Sequence, residues 1–410
     1  MTILADREGV APSVARPFPG LTELIHPVRV DAFQRDHWER RPLHIHRDQP
    51  DRYRDLLTLD DVDRMLALPG IALDSMRVVV EGKETPLSEL RTAHRRNVIE
   101  AVYERYRGGS TVVLNALEQR CEPLQRLART LGAELSARLQ MNIYLTPAGN
   151  QGFAPHYDTH DVFVAQVHGS KHWRLAGQPY ELPLGARPYD KSQPAPAPER
   201  EIELSPGDLL YLPRGTVHSA TANEKTSVHI TIGVHPVLFS DVLQRALGQL
   251  CSEDVRFRRG LPMGFASDPD RQLQAAALFA ELLAAVGDRL SPQDLVEESV
   301  RRATALGAPT LRHHLTDLDL LDGVGPDTRV RRRPGLQWRL AVTEDTVRLE
   351  FHGKTVDLPA RVADEVRYLA QAEGEGRSAA SIPGDLDEPG RLVLVTALLR
   401  EGFLTLAAAG

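Results

Sequence analysis

Apolar and polar positions change their period twice along this chain. From Val30 to Arg41, Phe33, His37 and Trp38 stand at helical spacing, and Pro42 closes the run. Leu43-His44-Ile45-His46 alternates as a short strand. Leu59–Leu68, Asn97–Arg107 and Glu122–Leu139 carry the spacings of three and four that predict helices. At Gln140 the period falls to two. Met141–Leu145, Asp161–Val167, Lys171–Leu175, Glu201–Leu204, Asp208–Leu212 and Ser227–Val234 read as short strands between turn residues, which predicts a small antiparallel barrel or a double-sheet jelly roll. Ala186–Arg200 interrupts them with Pro188, Pro194, Pro196 and Pro198, the composition of a mobile loop over the sheet. After Pro236 the helical period returns in Val237–Leu250, Asp270–Leu290 and Pro292–Leu306, the last with Ser291 as N-cap before an N1 proline. Trp338–Val342, Val347–Phe351 and Thr355–Leu358 then alternate as strands. Ala360–Ala372 and Pro389–Arg400 read as helices, and Gly402–Leu406 is a strand-like end. The class is α+β.

Length divides the chain further. At 410 residues, two or three domains are expected, and 42% hydrophobic with 26% charged residues suits a globular protein with a sizeable core. Residues 1–20 are Pro- and Ala-rich without periodicity and predict a loose tail; Asp6 and Glu8 and the lack of an apolar run there argue against a secretory signal. With no apolar run of membrane-spanning length, a soluble cytoplasmic protein is expected. Cys121 and Cys251 lack CxxC spacing and read as free thiols. A net charge of -7 argues against a broad nucleic-acid surface, and the cluster Arg329, Arg331, Arg332 and Arg333 reads as a solvated linker face.

The chemistry concentrates in His156-Tyr157-Asp158 and in the run from Gly207 to His218. On a strand, residues two apart face the same way, about 6.6 Å apart at ~3.3 Å per residue, so His156 and Asp158 aim at one point while Tyr157 turns away. The turn Pro213-Arg214-Gly215 can deliver His218 from a neighbouring strand. Two imidazoles and a carboxylate on one face of a metal leave the opposite face open, the donor set of non-haem Fe(II) oxygenases; zinc competes, but its sites are usually four-coordinate and rich in Cys or His. His160 has the same offset from Asp158 as His156, so spacing leaves both open as ligands. Asp161, of opposite parity, reads as a solvated carboxylate. His168, His172, His229 and His235 read as structural, with His229 on a strand that can face the cavity. Lys171, after Gly169-Ser170, reads by itself as a solvated turn lysine.

Asn142-Ile143-Tyr144, Pro155-His156-Tyr157-Asp158, Val162 through Leu175 and Tyr211 through His218 closely resemble the JmjC-type ribosomal oxygenases, which belong to the cupin superfamily of Fe(II)- and 2-oxoglutarate-dependent enzymes. Phe33 through Leu43 match more loosely. The resemblance implies a double-stranded β-helix (cupin/jelly-roll) core over 21–235, a helical dimerisation region over 236–325 and a winged-helix domain over 326–410. It selects His156, Asp158 and His218 as the iron ligands. It places Lys171 on the far carboxylate of 2-oxoglutarate and Asn142 and Tyr144 on the pocket wall. The implied reaction is hydroxylation, with O2, of a protein or peptide side chain, a ribosomal protein among the candidates, by a homodimer. A tailoring hydroxylase of a peptide natural product or amino-acid derivative and a non-catalytic cupin binding module are the alternatives. Asp385, Asp387, Glu388 and Glu401 make the last domain too acidic to favour DNA.

Overall fold

A computed structural model describes residues 20–67, 75–80, 82–86, 88–90, 98–192, 194–306 and 311–407. The tail expected over 1–20 lies outside the described residues apart from Gly20. The chain forms two compact units, Met1–His235 and Pro236–Gly410.

In the first unit the strands are β1 (Leu43–Ile45), β2 (Met76–Val80), β3 (Lys83–Glu84), β4 (Thr111–Leu114), β5 (Ala137–Thr146), β6 (Asp161–His168), β7 (Lys171–Leu175), β8 (Arg200–Leu204), β9 (Leu209–Leu212), β10 (His218–Ala222) and β11 (Ser227–Pro236). Among the described residues they form one sheet in the order β1-β9-β6-β11-β5-β4-β2-β3 and a second in the order β10-β7-β8, with antiparallel pairing throughout. This is the antiparallel two-sheet architecture of a cupin.

Side-chain parity builds the interior. Along β6, Val162 and Val164 point between the sheets and join Trp173, Leu175, Ile202, Leu204, Leu210 and Leu212 in one apolar cluster. Phe163 and Ala165, on the opposite parity, pack into a larger core with Phe33, Leu124, Leu127, Leu131, Met141 and Ile143. Fully covered strands such as β9 are therefore apolar at every position rather than alternating. In β7 the alternation survives: Lys171, Trp173 and Leu175 are buried, while His172 and Arg174 are less so.

Several expectations change. The helix expected to run to Leu139 stops at Leu135, because Ser136 adopts a left-handed conformation (φ 49°) and β5 begins at Ala137. The helix expected over Val30–Arg41 spans Val30–Asp36. Strands β2, β3, β4 and β10 are additional. The His156–Asp158 segment is not a regular strand: it touches β10 through isolated bridges, Gln151 to Thr221 and His156 to His218. Pro155 has no N–H to give a ladder there. The start of the Pro-rich loop is tied down, since the Tyr157 hydroxyl donates to the Arg187 carbonyl at 3.2 Å.

In the second unit, helices span Phe239–Glu253, Pro269–Arg289 and Pro292–Ala305. Asp268 and Ser291 cap the latter two, with Ser291 Oγ accepting from the Asp294 N–H at 3.1 Å. Two three-stranded sheets follow. Arg329–Arg332 (β12) lies between Arg377–Ser378 and Leu404–Leu406, and Trp338–Val342, Thr346–Phe351 and Lys354–Pro359 form a meander. The arginine cluster is therefore not a solvated linker. Arg331 and Arg332 sit in β12, and Arg333 is buried, pairing with Asp317 at 2.9 Å and donating to the Gly402 carbonyl. Both cysteines are free. Among the described residues no helix is long and apolar enough to cross a membrane.

Candidate metal and cosubstrate site

His218 opens β10, and its backbone exchanges hydrogen bonds with His156 (3.1 and 2.8 Å), which brings the two rings to 4.6 Å between centroids. Asp158 is positioned by the turn that precedes His218, where the Gly215 N–H donates to the Asp158 carbonyl at 3.0 Å. Gly215 has φ +89°, and a Cβ there would stand 2.5 Å from the Tyr180 carbonyl oxygen, so only glycine fits this turn.

One potential ligand atom from each of His156, Asp158 and His218 lies within 4.8 Å of the others, and His218 Nε2 stands 3.7 Å from Asp158 Oδ2. Ligands about 2.0–2.2 Å from a common ion stand roughly 3–4 Å from each other. His156 Nδ1 faces the Ala154 carbonyl at 2.8 Å and His218 Nδ1 the Thr216 carbonyl at 3.0 Å. A carbonyl only accepts, so both Nδ1 atoms carry the hydrogen and both Nε2 atoms present lone pairs. Burial pushes the Asp158 carboxyl pKa up, but His156, His218, His160 and His235 together bring it below its ordinary value. Burial, reinforced by His156, pushes His218 down to about 4. At neutral pH the cluster is thus one carboxylate with a neutral His218, the protonation a metal needs. His160 is not in this cluster; it stacks on His235 at 4.5 Å.

Beside the triad lies a cavity whose wall includes Tyr144, Thr146, Lys171, Trp173 and His229. Lys171 is only 4% exposed, correcting the solvated reading of an isolated turn lysine. Its Nζ donates to Thr146 Oγ1 at 2.8 Å, and no ion pair to a carboxylate accompanies that bond among the described residues. Burial pushes its pKa down to about 7. Two further polar atoms on the wall, Trp173 Nε1 and His229 Nδ1, are buried without a hydrogen-bond partner. A buried cation with one neutral partner, facing a cavity with unsatisfied polar atoms, suits an anionic guest. Burial, then Asp158, raises the Tyr144 pKa, so its phenol stays protonated as a donor. The donor set fits a metal at the triad and a dicarboxylate reaching Lys171.

Two expected residues part company. Tyr144 lines the cavity, stacked on His229 at 4.8 Å. Asn142 is not among the lining residues; its amide oxygen accepts from the Ala116 N–H at 3.0 Å. Asp161, expected in solvent, is fully buried, accepting from the Tyr211 hydroxyl at 3.0 Å and from Arg214 Nη1 at 2.9 Å. It faces the helix side of β6, where long-range partners enclose it.

Fold and site together define a cupin-type oxygenase, and the comparisons with known proteins agree. Residues 116–242 match the JmjC domain. The chain is 28% identical to Ribosomal oxygenase 1 of Danio rerio, over 93% of this chain and 78% of that protein. It is 31% identical to the bifunctional lysine-specific demethylase and histidyl-hydroxylase NO66 of Drosophila mojavensis, over 59% of this chain and 28% of that protein. In fold it is similar to the Escherichia coli ribosomal oxygenase YcfD in complex with cobalt and 2-oxoglutarate, at 17% identity and a TM-score of 0.51, covering 93% of this chain and 98% of that one. The chain is thus similar to the JmjC-type ribosomal oxygenases over most of its length and is a 2-oxoglutarate-dependent oxygenase, a class that uses Fe(II).

Proposed function

We propose that this protein hydroxylates a side chain of a protein or peptide, with a ribosomal protein the leading candidate, and that His156, Asp158 and His218 hold its iron. The observation that carries the reading is Lys171, a nearly inaccessible ammonium in the wall of the cavity that the triad lines. In the proposed site Lys171 and Thr146 bind the distal carboxylate of 2-oxoglutarate, and Tyr144 adds a donor on the same wall. Val162, Val164 and Trp173 keep bulk water from the reacting centre. Iron and cosubstrate, held there, would supply O2-dependent C–H oxidation coupled to conversion of 2-oxoglutarate to succinate and CO2. The protein's own work is to fix ligand geometry and tautomers through the Ala154 and Thr216 carbonyls.

The substrate class is supported by the names of the relatives. The short strands and helices of 326–410 suit a winged-helix domain. A homodimer built through residues 236–325 is supported by the apolar exposure of the Pro269–Arg289 helix. Its Leu273 and Leu283 are each 70% exposed. The test is mass spectrometry of ribosomal-protein peptides incubated with enzyme, Fe(II), 2-oxoglutarate and O2. One added oxygen atom is expected with wild type and none with His156→Ala or Asp158→Ala. Wild-type turnover by either purified variant would remove the assignment.

A further inference from the structure

A second group of metal-type side chains stands apart from the triad. His44 lies on β1 and His46 just past its end; among the described residues β1 is an edge strand paired with β9 in the register His44 to Leu210. Residues two apart on a strand share a face. Asp208 immediately precedes β9, so the pairing carries its carboxylate to both rings. One nitrogen or oxygen from each of the three lies within 4.8 Å of the others.

His46 Nδ1 stands 3.1 and 3.2 Å from the two carboxylate oxygens, at the long end of hydrogen-bond range, and His44 Nε2 stands 3.6 Å from Oδ2, beyond it. A charge-assisted bond would close to about 2.7–2.9 Å. Ions bound at about 2.0–2.2 Å hold neighbouring ligands roughly 3–4 Å apart, the spacing seen here. His44 Nε2 is moreover buried without a hydrogen-bond partner. Asp208 is wholly inaccessible, and its oxygens accept from the Arg47 N–H at 2.7 Å and the Ser205 N–H at 2.9 Å. These two bonds fix the carboxylate plane. The nearby Arg47 guanidinium spends its donors on the Leu24, His26 and Gly207 carbonyls and the Tyr53 hydroxyl, leaving the carboxylate to the imidazoles.

We propose that His44, His46 and Asp208 form a second divalent-metal site. Two imidazoles and one carboxylate favour a borderline transition ion, such as Zn2+, over Mg2+ or Ca2+, which take oxygen ligands. The His46 side chain is 70% exposed, so water reaches the fourth position from that side. The ion neutralises a buried carboxylate and ties β1 to the turn between β8 and β9. Its role is structural, and it does not depend on the substrate assigned above.

The experiment uses tag-free full-length chain carrying His156→Ala and Asp158→Ala, which empties the triad. Equilibrium dialysis against Zn2+ should leave one ion per chain, and Co2+ should give the visible band of a low-coordinate site. Adding His46→Ala, at an exposed position that folding tolerates, should weaken binding at least tenfold; His44→Gln should do the same with little change of volume. Zn2+ should also raise the unfolding temperature of the triad-deficient protein and leave that of the His46→Ala derivative unmoved. Absence of a bound ion in the triad-deficient chain, or binding indifferent to both histidine variants, overturns the proposal.

Discussion

The side chain that most constrains the chemistry is Lys171, and the sequence hides it. Its position after Gly169-Ser170 points to solvent, whereas the β7 alternation through Trp173 and Leu175 points inward, and parity wins because both partners are core residues. His156, Asp158 and His218 were legible because a two-residue offset and a turn carry their geometry locally. His229 reads from the sequence as structural, on a strand that can face the cavity, and it does line it; β11 is buried at nearly every position and gives no alternation from which to settle its face. Asp161 was misread because Arg214 and Tyr211, which bury it, come from fifty residues away. Removing the Lys171 charge tests its role directly. Loss of a charged hydrogen bond costs about 1.5–3 kcal/mol, so Lys171→Met should raise the KM for 2-oxoglutarate roughly 10- to 100-fold while iron still binds. Steady-state kinetics over cosubstrate concentration, with metal content measured in parallel, reads both. The proton on Lys171 gives a second expectation. Burial lowers its pKa in the free protein to about 7, whereas a carboxylate partner favours the protonated form and raises it. Affinity for 2-oxoglutarate is therefore full below about pH 7 and declines as pH rises above it, and binding near pH 8 takes up a proton. Calorimetry in two buffers of different ionisation enthalpy measures that uptake, and no difference between buffers would contradict it.

At the scale of elements, strands bounded by clear turn residues were read to within about a residue: β7 was found at its full extent, and β6 and β8 gained one residue each. What failed was whatever needed a distant partner. β2 and β4 are short apolar runs that become strands by pairing with each other and with β5. β12 looked like a charged linker until the strands Arg377–Ser378 and Leu404–Leu406 closed around it. The segment delivering His218 depends on a similar long-range tie. Asp161 at the start of β6 accepts from the Arg214 backbone and guanidinium, from just after β9, and Arg214 pairs in turn with Glu39. Asp161→Ala leaves Arg214 buried with half its partners gone. Breaking a buried pair from one side costs about 3–5 kcal/mol. Urea unfolding should show a loss of that order, and activity should fall beyond what stability alone explains, because the Pro213–Val217 turn that sets His218 is loosened. An unchanged unfolding midpoint would show that Glu39 alone suffices to hold Arg214.

For the molecule as a whole, the two units differ in how completely they bury their own apolar surface. The first encloses its helices and sheets around large continuous cores. In the second, the helix Pro269–Arg289 runs for 21 residues yet has Ala275 as its only buried residue, while Leu273, Leu278, Phe279 and Leu283 lie open. Helices of this kind draw most of their stability from packing an apolar face, and exposed apolar patches rimmed by charge mark protein contacts. A second copy of the chain would supply such a cover, because a two-fold interface lets one patch pair with itself. Sedimentation velocity should then give twice the 45.4 kDa chain mass at micromolar concentration. Leu273→Asp combined with Leu283→Asp should return the single-chain mass with the fold of the first unit intact, because neither residue contributes to its core. A wild-type protein that sediments as a single chain would instead require the open helix face to be met by something other than its own copy, and the dimer would be withdrawn.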